Sequence, residues 1–419
     1  MKKIIALLLA LCMVACLFVG CAEEETPATT TVPTTTAGGE EQPTDTEPVE
    51  DTSEEPVPSE YKVAMITDYG DITDQSFNQT TYEACLAFSE DTGVEFKYYK
   101  PQTNDTAARV AMTELAIAEG FNVIVMPGYA FGATLVEIAP QYPEVKFVAL
   151  DVGAGDILET AVAMAGETYS WNPDDYNLAD YFDMSNVYCA IYQEELCGYM
   201  AGYAAVKLGY TKLGFLGGMA VPAVVRYGFG FVQGVDAAAA ELNIEVSMNY
   251  AYGNQFYGDA DITAAMDTWY GAGTEIVFAC GGGIYTSAAE AAQKVGGKVI
   301  GVDVDQAPTI DDLYGEGMTV TSAMKGLYPA TVDTLNEILA GNWANFVGKI
   351  DTLGLIGTDP EANYVQIPMA STQWADTFTQ ADYAALVAGL YEGTITVSND
   401  ISAMPATTNC TVTDLGNLK

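Results

Sequence analysis

Carboxylates, amides and aromatic rings crowd into one short stretch of this chain, Asp68-Tyr69-Gly70-Asp71-Ile72-Thr73-Asp74-Gln75-Ser76-Phe77-Asn78-Gln79. It follows directly on an apolar run of strand length, Val63-Ala64-Met65-Ile66-Thr67. A loop at the carboxyl end of a strand is where open α/β sheets take their ligands. A loop built to cradle phosphate would be rich in glycine and followed by lysine, whereas this one is acidic. Its residue types suit a neutral, hydroxyl-rich ligand with an aromatic part, stacked on Phe77 and hydrogen-bonded to Asp68 and Asn78. They equally suit the cap of a following helix, with Asp74 or Ser76 capping. Loop chemistry alone leaves both readings open.

Other strand ends repeat the theme. Leu150 is followed by Asp151, and Ile300-Gly301-Val302 runs into Asp303-Val304-Asp305-Gln306. The strand through Phe278 ends in Gly281-Gly282-Gly283, where backbone can approach a ligand closely. Asp303 and Asp305 could interest a hard cation. They lack the spacing of a calcium-binding helix–loop–helix, and no metal or other cofactor is expected. The chain has no histidine, which removes the commonest general base and zinc ligand and lowers the expectation of catalysis.

The elements that must position these loops are legible from periodicity. Runs at 63–67, 94–99, 123–126 and 146–150 read as strands, 123–126 being continuously apolar, separated by helical stretches at 80–91, 105–119 and 131–141. The pattern restarts with strands at 212–216, 244–250, 275–279 and 298–302 and helices at 221–242, 260–270 and 287–295. Apolar strands alternating with helices signify a parallel sheet covered on both faces. Two such runs predict an α/β protein of two Rossmann-like lobes with parallel sheets joined by a hinge. Lobe 1 is expected at about 61–190 and lobe 2 at about 209–320, each with later segments. The Ala- and Gly-rich stretch 195–208 reads as a close-packed helix joining or lining them. Ligand would then bind in the cleft between lobes.

Composition closes other classes. With 57 acidic and 15 basic residues the net charge is −42, so no basic stripe can displace counterions from a nucleic acid. Such a surface favours a soluble monomer.

The start, Met1-Lys2-Lys3, an apolar run over 4–19 and then Gly20-Cys21, has the three parts of a secretory signal. The stretch Phe18-Val19-Gly20-Cys21 resembles a bacterial lipobox, with Cys21 as the lipidated residue and Phe18 where Leu is usual. Residues 22–60 are rich in Thr, Pro and Glu and contain no Lys or Arg, so this segment is expected to be a disordered, extended tether. An uncleaved anchor helix is the alternative. Either way, the bilobal domain at 61–419 is expected outside the cytoplasm, on the outer face of the bacterial cell membrane. Five cysteines lie beyond the signal, Cys85, Cys189, Cys197, Cys280 and Cys410, with room for one disulfide.

Several ordered blocks resemble the basic membrane protein family of ABC transporter lipoproteins. They are the 67–79 loop, Gly214-Phe215-Leu216-Gly217-Gly218-Met219, and Val221-Pro222 through Arg226-Tyr227-Gly228-Phe229-Gly230-Phe231 to Gly234. Ile300 to Gln306 and Thr321-Ser322-Ala323-Met324-Lys325 complete the set. The resemblance implies a type I periplasmic-binding-protein-like fold. It also implies a substrate-binding lipoprotein that delivers a purine nucleoside to an ABC permease, without catalysis. Carried over position by position, it makes Asp68, Phe77 and Asn78 ligand contacts, Tyr227 the second ring of a base sandwich, and Asp303 with Lys325 the ribose-binding pair. Asp151 and Gly282 are implied further contacts. A sugar or another solute in the same fold, a surface nucleoside hydrolase, or an adhesion or signalling lipoprotein are the competing functions. Residues 153–188 read as an acidic, aromatic insertion that could reshape the cleft rim, and the tail 352–419 is longer than the family implies.

Overall fold

A computed structural model describes residues 60–419. The expected signal, lipobox cysteine Cys21 and most of the tether lie outside the described residues. Among the described residues, no helix is long and apolar enough to cross a membrane.

The chain first builds β1 (Val63–Ile66), α1 (Phe77–Thr92), β2 (Phe96–Tyr99), α2 (Thr106–Ala118), β3 (Val123–Pro127), α3 (Phe131–Ile138), β4 (Lys146–Leu150), α4 (Ala154–Met164) and β5 (Val187–Tyr192). It then crosses to α5 (Glu194–Lys207), β6 (Lys212–Gly217), α6 (Pro222–Leu242), β7 (Val246–Tyr252), α7 (Ala260–Gly271), β8 (Ile276–Cys280), α8 (Tyr285–Val295), β9 (Lys298–Asp303), α9 (Ala307–Tyr314) and β10 (Thr319–Lys325). It returns through α10 (Leu327–Leu339) and β11 (Ile350–Leu353), and ends with β12 (Val365–Gln366), α11 (Gln380–Tyr391) and β13 (Cys410–Asn417).

Two sheets result, ordered β11-β5-β4-β3-β1-β2 in lobe 1 and β12-β10-β9-β8-β6-β7-β13 in lobe 2. Every pairing is parallel except β10 with β12. Strand order reverses between β1 and β3 and between β6 and β8, so a crevice opens at the carboxyl ends there. In β1, Ala64 and Ile66 join the core on one face, while Val63 and Met65 join the core on the other. That alternation is the period of a strand, and it explains why both positions in every pair must be apolar.

Local signals set the helix ends. Asp105 caps α2 by accepting from the Ala108 amide at 2.8 Å. Pro222 opens α6, and Asn243 ends it in the left-handed conformation. Helix α1 begins at Phe77, earlier than its periodicity predicts. The Asp74 carboxylate accepts from the Ser76, Asn78 and Gln79 amides at 3.0–3.1 Å and so draws Phe77 and Asn78 into the first turn.

Two expectations, on residues 153–188 and on a disulfide, need correction, and the tail 352–419 proves to be packed into the fold. Residues 153–188 are not one irregular segment: α4 is a sheet-covering helix and β5 an interior strand of the lobe 1 sheet, so only 165–186 is an irregular connection. The apolar face of α4 (Ile157, Leu158, Ala161, Val162) follows Asp156 and is broken by Glu159. The tail is integral, since β13 extends the lobe 2 sheet and Asp236 accepts from the Thr408, Asn409 and Cys410 amides at 2.7–2.9 Å. All five cysteines are buried and unpaired.

Helices α5 and α6 touch backbone to backbone. A Cβ at Gly230 would stand 2.1 Å from the Glu195 carbonyl oxygen, and one at Gly198 would stand 2.2 Å from that of Tyr227. Neither helix can retreat from the other, because both are packed into the lobe 2 core. Gly230→Ala is therefore expected to destabilise by roughly 1–3 kcal/mol, the usual range for overpacking. Gly271→Ala, where a Cβ meets nothing within 4 Å, is expected to be neutral or stabilising. Urea unfolding of both variants checks the contrast.

Candidate functional site

Three chain crossings join the lobes, and they are bonded to one another. Gln193 donates its amide to the Leu353 carbonyl at 2.9 Å, Gly326 to Tyr364 at 2.6 Å and Tyr364 to Gly354 at 3.0 Å. The carboxyl ends of β4, β9 and β10 meet just inside these crossings. They bring Asp151, Asp303 and Lys325 to one point.

Lys325 is almost wholly buried. Its Nζ donates to Asp151 Oδ2 across the cleft, and lies 3.4 Å from Asp303 Oδ1 and 4.0 Å from Glu194 Oε1. It also stands over three rings, at 4.6 Å from the centre of Phe77, 5.6 Å from Tyr227 and 5.7 Å from Tyr192. Burial opposes the ammonium charge, but Asp151, Asp303 and Glu194 more than offset that and hold its pKa above the ordinary lysine range. For Asp151, burial dominates over Lys325 and pushes the carboxyl up to about 6. A second cation, Arg226, donates from Nε to Glu194 Oε2 at 2.6 Å. Asp151 and Asp303 both hold left-handed backbone, with φ of 57° and 65°, a conformation uncommon outside glycine and frequent at functional sites.

Lobe 1 reaches lobe 2 at further points. Ser76 Oγ donates to Asp303 Oδ2 at 2.5 Å, and Thr309 Oγ1 donates to Gln75 Oε1 at 2.8 Å. Gln306 Nε2 donates to the Gln75 carbonyl at 3.1 Å, and the Tyr129 hydroxyl lies 3.7 Å from Met219 Sδ. Phe77 packs against the cores of both lobes.

Of the residues singled out from the sequence, Phe77, Asp151, Tyr227, Asp303 and Lys325 converge on the one ammonium. Tyr227 lies in the core, edge-on to Phe278 at 5.9 Å, with its hydroxyl 3.5 Å from Asp303 Oδ1. Asp68 and Asn78 sit beside the cluster and are bonded to each other and to their own loop. Asp68 Oδ1 accepts from the Tyr69 and Gly70 amides at 2.6 and 2.7 Å and from Asn78 Nδ2 at 3.1 Å. Gly282 faces the Phe256 loop, and its carbonyl accepts from Gln306 at 3.4 Å.

Ser76, Tyr192, Glu194, Arg226 and Gln306 had no assigned site role. Two adjacent glutamates opening an Ala- and Gly-rich helix were the available signal for Glu194. Three atoms of this cluster, Asp151 Oδ1, Glu194 Oε1 and the Tyr192 hydroxyl, are buried without a hydrogen-bond partner. Buried polar atoms are nearly always paired, so such a concentration marks a place where something else supplies hydrogen bonds. The arrangement can take a flat ring on Phe77 and adjacent hydroxyls on its carboxylates and ammonium. Among the described residues, no three His, Cys, Asp or Glu side chains are placed to hold a metal ion.

Residues 61–359 match the family model described as ABC transporter substrate-binding protein PnrA-like. The ABC transporter nucleoside-binding protein BmpA of Lactococcus lactis is 25% identical over 263 residues, 60% of this chain and 66% of that protein. This chain thus covers just under two thirds of that relative. An uncharacterised lipoprotein of Pyrococcus abyssi is 23% identical over 304 residues, 70% of this chain and 67% of the other. The solved ABC transporter solute-binding protein of Conexibacter woesei superposes with a TM-score of 0.58 at 21% identity, covering 81% of this chain and 99% of that one.

One neighbour of the cluster gives a pH prediction. Asp156 accepts from the Gly153 amide at 2.8 Å, and burial pushes its carboxyl from 3.8 to about 7. An acid with a raised folded pKa binds its proton more tightly when folded, so stability falls as pH rises from about 4 to 7. Asp156→Asn keeps the acceptor and removes the titration. Its unfolding free energy, measured in urea from acid to neutral pH, is expected to fall less steeply than the parent's. Identical slopes would mean that Asp156 does not titrate this way.

Proposed function

The chain belongs to the PnrA-like family of ABC transporter substrate-binding proteins, and from that premise we propose that it captures a purine nucleoside between its lobes for delivery to a permease. One observation carries the reading: an aromatic ring, Phe77, stands beside two carboxylates and an ammonium, among buried polar atoms that lack partners. A base would stack on Phe77. Neighbouring ribose hydroxyls would donate to Asp151, Asp303 or Glu194 and accept from Lys325 Nζ. Asp68 and Asn78 would read the base edge with the hydrogen-bonding capacity left over from their loop. The name of the Lactococcus relative agrees with this choice of ligand.

Entry requires the lobes to part about the three crossings, and capture is their closure. The protein on this reading binds and releases, with no bond made or broken. It acts as a monomer, held to the outer face of the cell membrane through lipidated Cys21, a placement that the lipoprotein name of the Pyrococcus relative supports.

Calorimetry with adenosine, guanosine, inosine, cytidine and ribose tests the proposal. Purine nucleosides are expected to bind without turnover, with cytidine and ribose much weaker. Ribose binding as tightly as a nucleoside would favour the sugar alternative, and release of free base would turn the chain into a hydrolase. Phe77→Ala is expected to lose roughly 5- to 150-fold in affinity, by analogy with the 1–3 kcal/mol of base stacking on aromatic side chains. Unchanged binding in that variant, with its melting temperature intact, would move the base away from Phe77.

A further inference from the structure

The connecting segment 165–186, between α4 and β5, has no part in the cleft chemistry, yet it is built with care. Phe182 is buried, and Leu178, Tyr181 and Met184 pack on the lobe 1 core, which anchors one end. The other end carries a row of rings in contact. Trp171 to Tyr169 is 5.7 Å between centres, Tyr169 to Tyr176 is 5.3 Å and Tyr176 to Tyr181 is 5.7 Å. The loop is fastened to itself: Ser170 Oγ and Asn172 Nδ2 donate to the Asp175 carboxylate at 2.7 and 3.1 Å, and the Tyr176 hydroxyl donates to the Thr168 carbonyl at 3.1 Å. Trp171 nonetheless remains 76% exposed.

Charge identifies what such a face would bind. Glu167, Asp174, Asp175, Asp180 and Asp183 lie in the segment, and no Lys or Arg occurs between Lys146 and Lys207. No cation lies within ion-pair distance of these five among the described residues. A guanidinium meets both features at once, stacking on an exposed ring while pairing with a carboxylate. A glycan would also stack on the rings and donate hydroxyls to the carboxylates, but it carries no charge to offset five acids that have no cation within ion-pair distance among the described residues.

The face also has a telling position. A Cβ at Gly155, in the first turn of α4, would stand 3.2 Å from the Tyr169 hydroxyl, next to the strand end that carries Asp151. The Tyr169 end of the row therefore lies beside the first turn of α4, four residues beyond Asp151. We propose that the Tyr169–Trp171–Tyr176 face is a docking surface for an arginine-bearing segment of a protein partner. This holds whichever solute the cleft takes.

The test is calorimetric titration of the full chain with tetra-arginine amide at physiological ionic strength. Tetra-arginine amide is expected to bind. Trp171→Ala, which leaves the charge unchanged, is expected to weaken binding about three- to fivefold, the scale of an exposed cation–π contact. The double variant Asp174→Asn, Asp180→Asn is expected to weaken it as well, and tetra-lysine amide to bind less tightly than tetra-arginine amide. Equal affinity for parent and Trp171→Ala would overturn the proposal, leaving only diffuse attraction to an acidic protein. Binding of chitotetraose that is lost in Trp171→Ala, with tetra-arginine unaffected, would overturn it in favour of a glycan. Since Trp171 is exposed, an unchanged melting temperature is expected and separates these outcomes from misfolding.

Discussion

One buried ammonium holds the middle of this molecule. Lys325 ends β10 of lobe 2, and its Nζ reaches Asp151 at the end of β4 in lobe 1. Three carboxylates and three rings surround it. Charges so far from water persist only when each has a partner, and removing one partner of a buried pair typically costs about 3–5 kcal/mol. The cluster therefore couples lobe position to charge balance. Were the lobes to separate, Asp151 would lose its cation and Lys325 its lobe 1 carboxylate, and both ions would have to regain water.

The scaffold that sets this point is correspondingly stiff. Gly198 and Gly230 let α5 and α6 approach until backbone meets backbone, so Glu194 at the start of α5 and Arg226 in α6 are held in register for their 2.6 Å bond. The tail completes the support. Helix α11 adds Tyr383, Leu386, Val387 and Leu390 to the core that contains α5, and β13 covers the edge of β7. The tail, longer than the family resemblance implies, is a structural part of lobe 2.

Much of the fold was legible. Strands buried on both faces must be apolar at every position, and helices between them must carry one apolar stripe, so 63–67, 123–126 and 146–150 announced themselves. Helix α4 did not, because Glu159 falls within its apolar stripe and Asp156 just before it. The site was half legible. Carboxylates following strand ends are visible wherever strands are, which is why Asp68, Asp151 and Asp303 stood out. Tyr192 and Glu194 follow the same logic at β5, but nothing in their neighbourhood separates a cleft-facing hydroxyl from a core tyrosine.

The sequence by itself determined two α/β lobes, an acidic surface that no nucleic acid could approach, and strand ends rich in hydrogen-bonding groups. These follow from periodicity and composition, which are local properties. Only the tertiary structure decided which of those groups meet. Asp151 and Lys325 are 174 residues apart, and Ser76 and Asp303 are 227 apart. Their meeting depends on how three crossings orient two finished sheets. The same packing ties Asp68 and Asn78 to their own loop, sinks Tyr227 into the core, and leaves Trp171 in solvent. No spacing along the chain encodes those outcomes, because each is set by what the opposite lobe, the neighbouring helix or the open surface places against the residue.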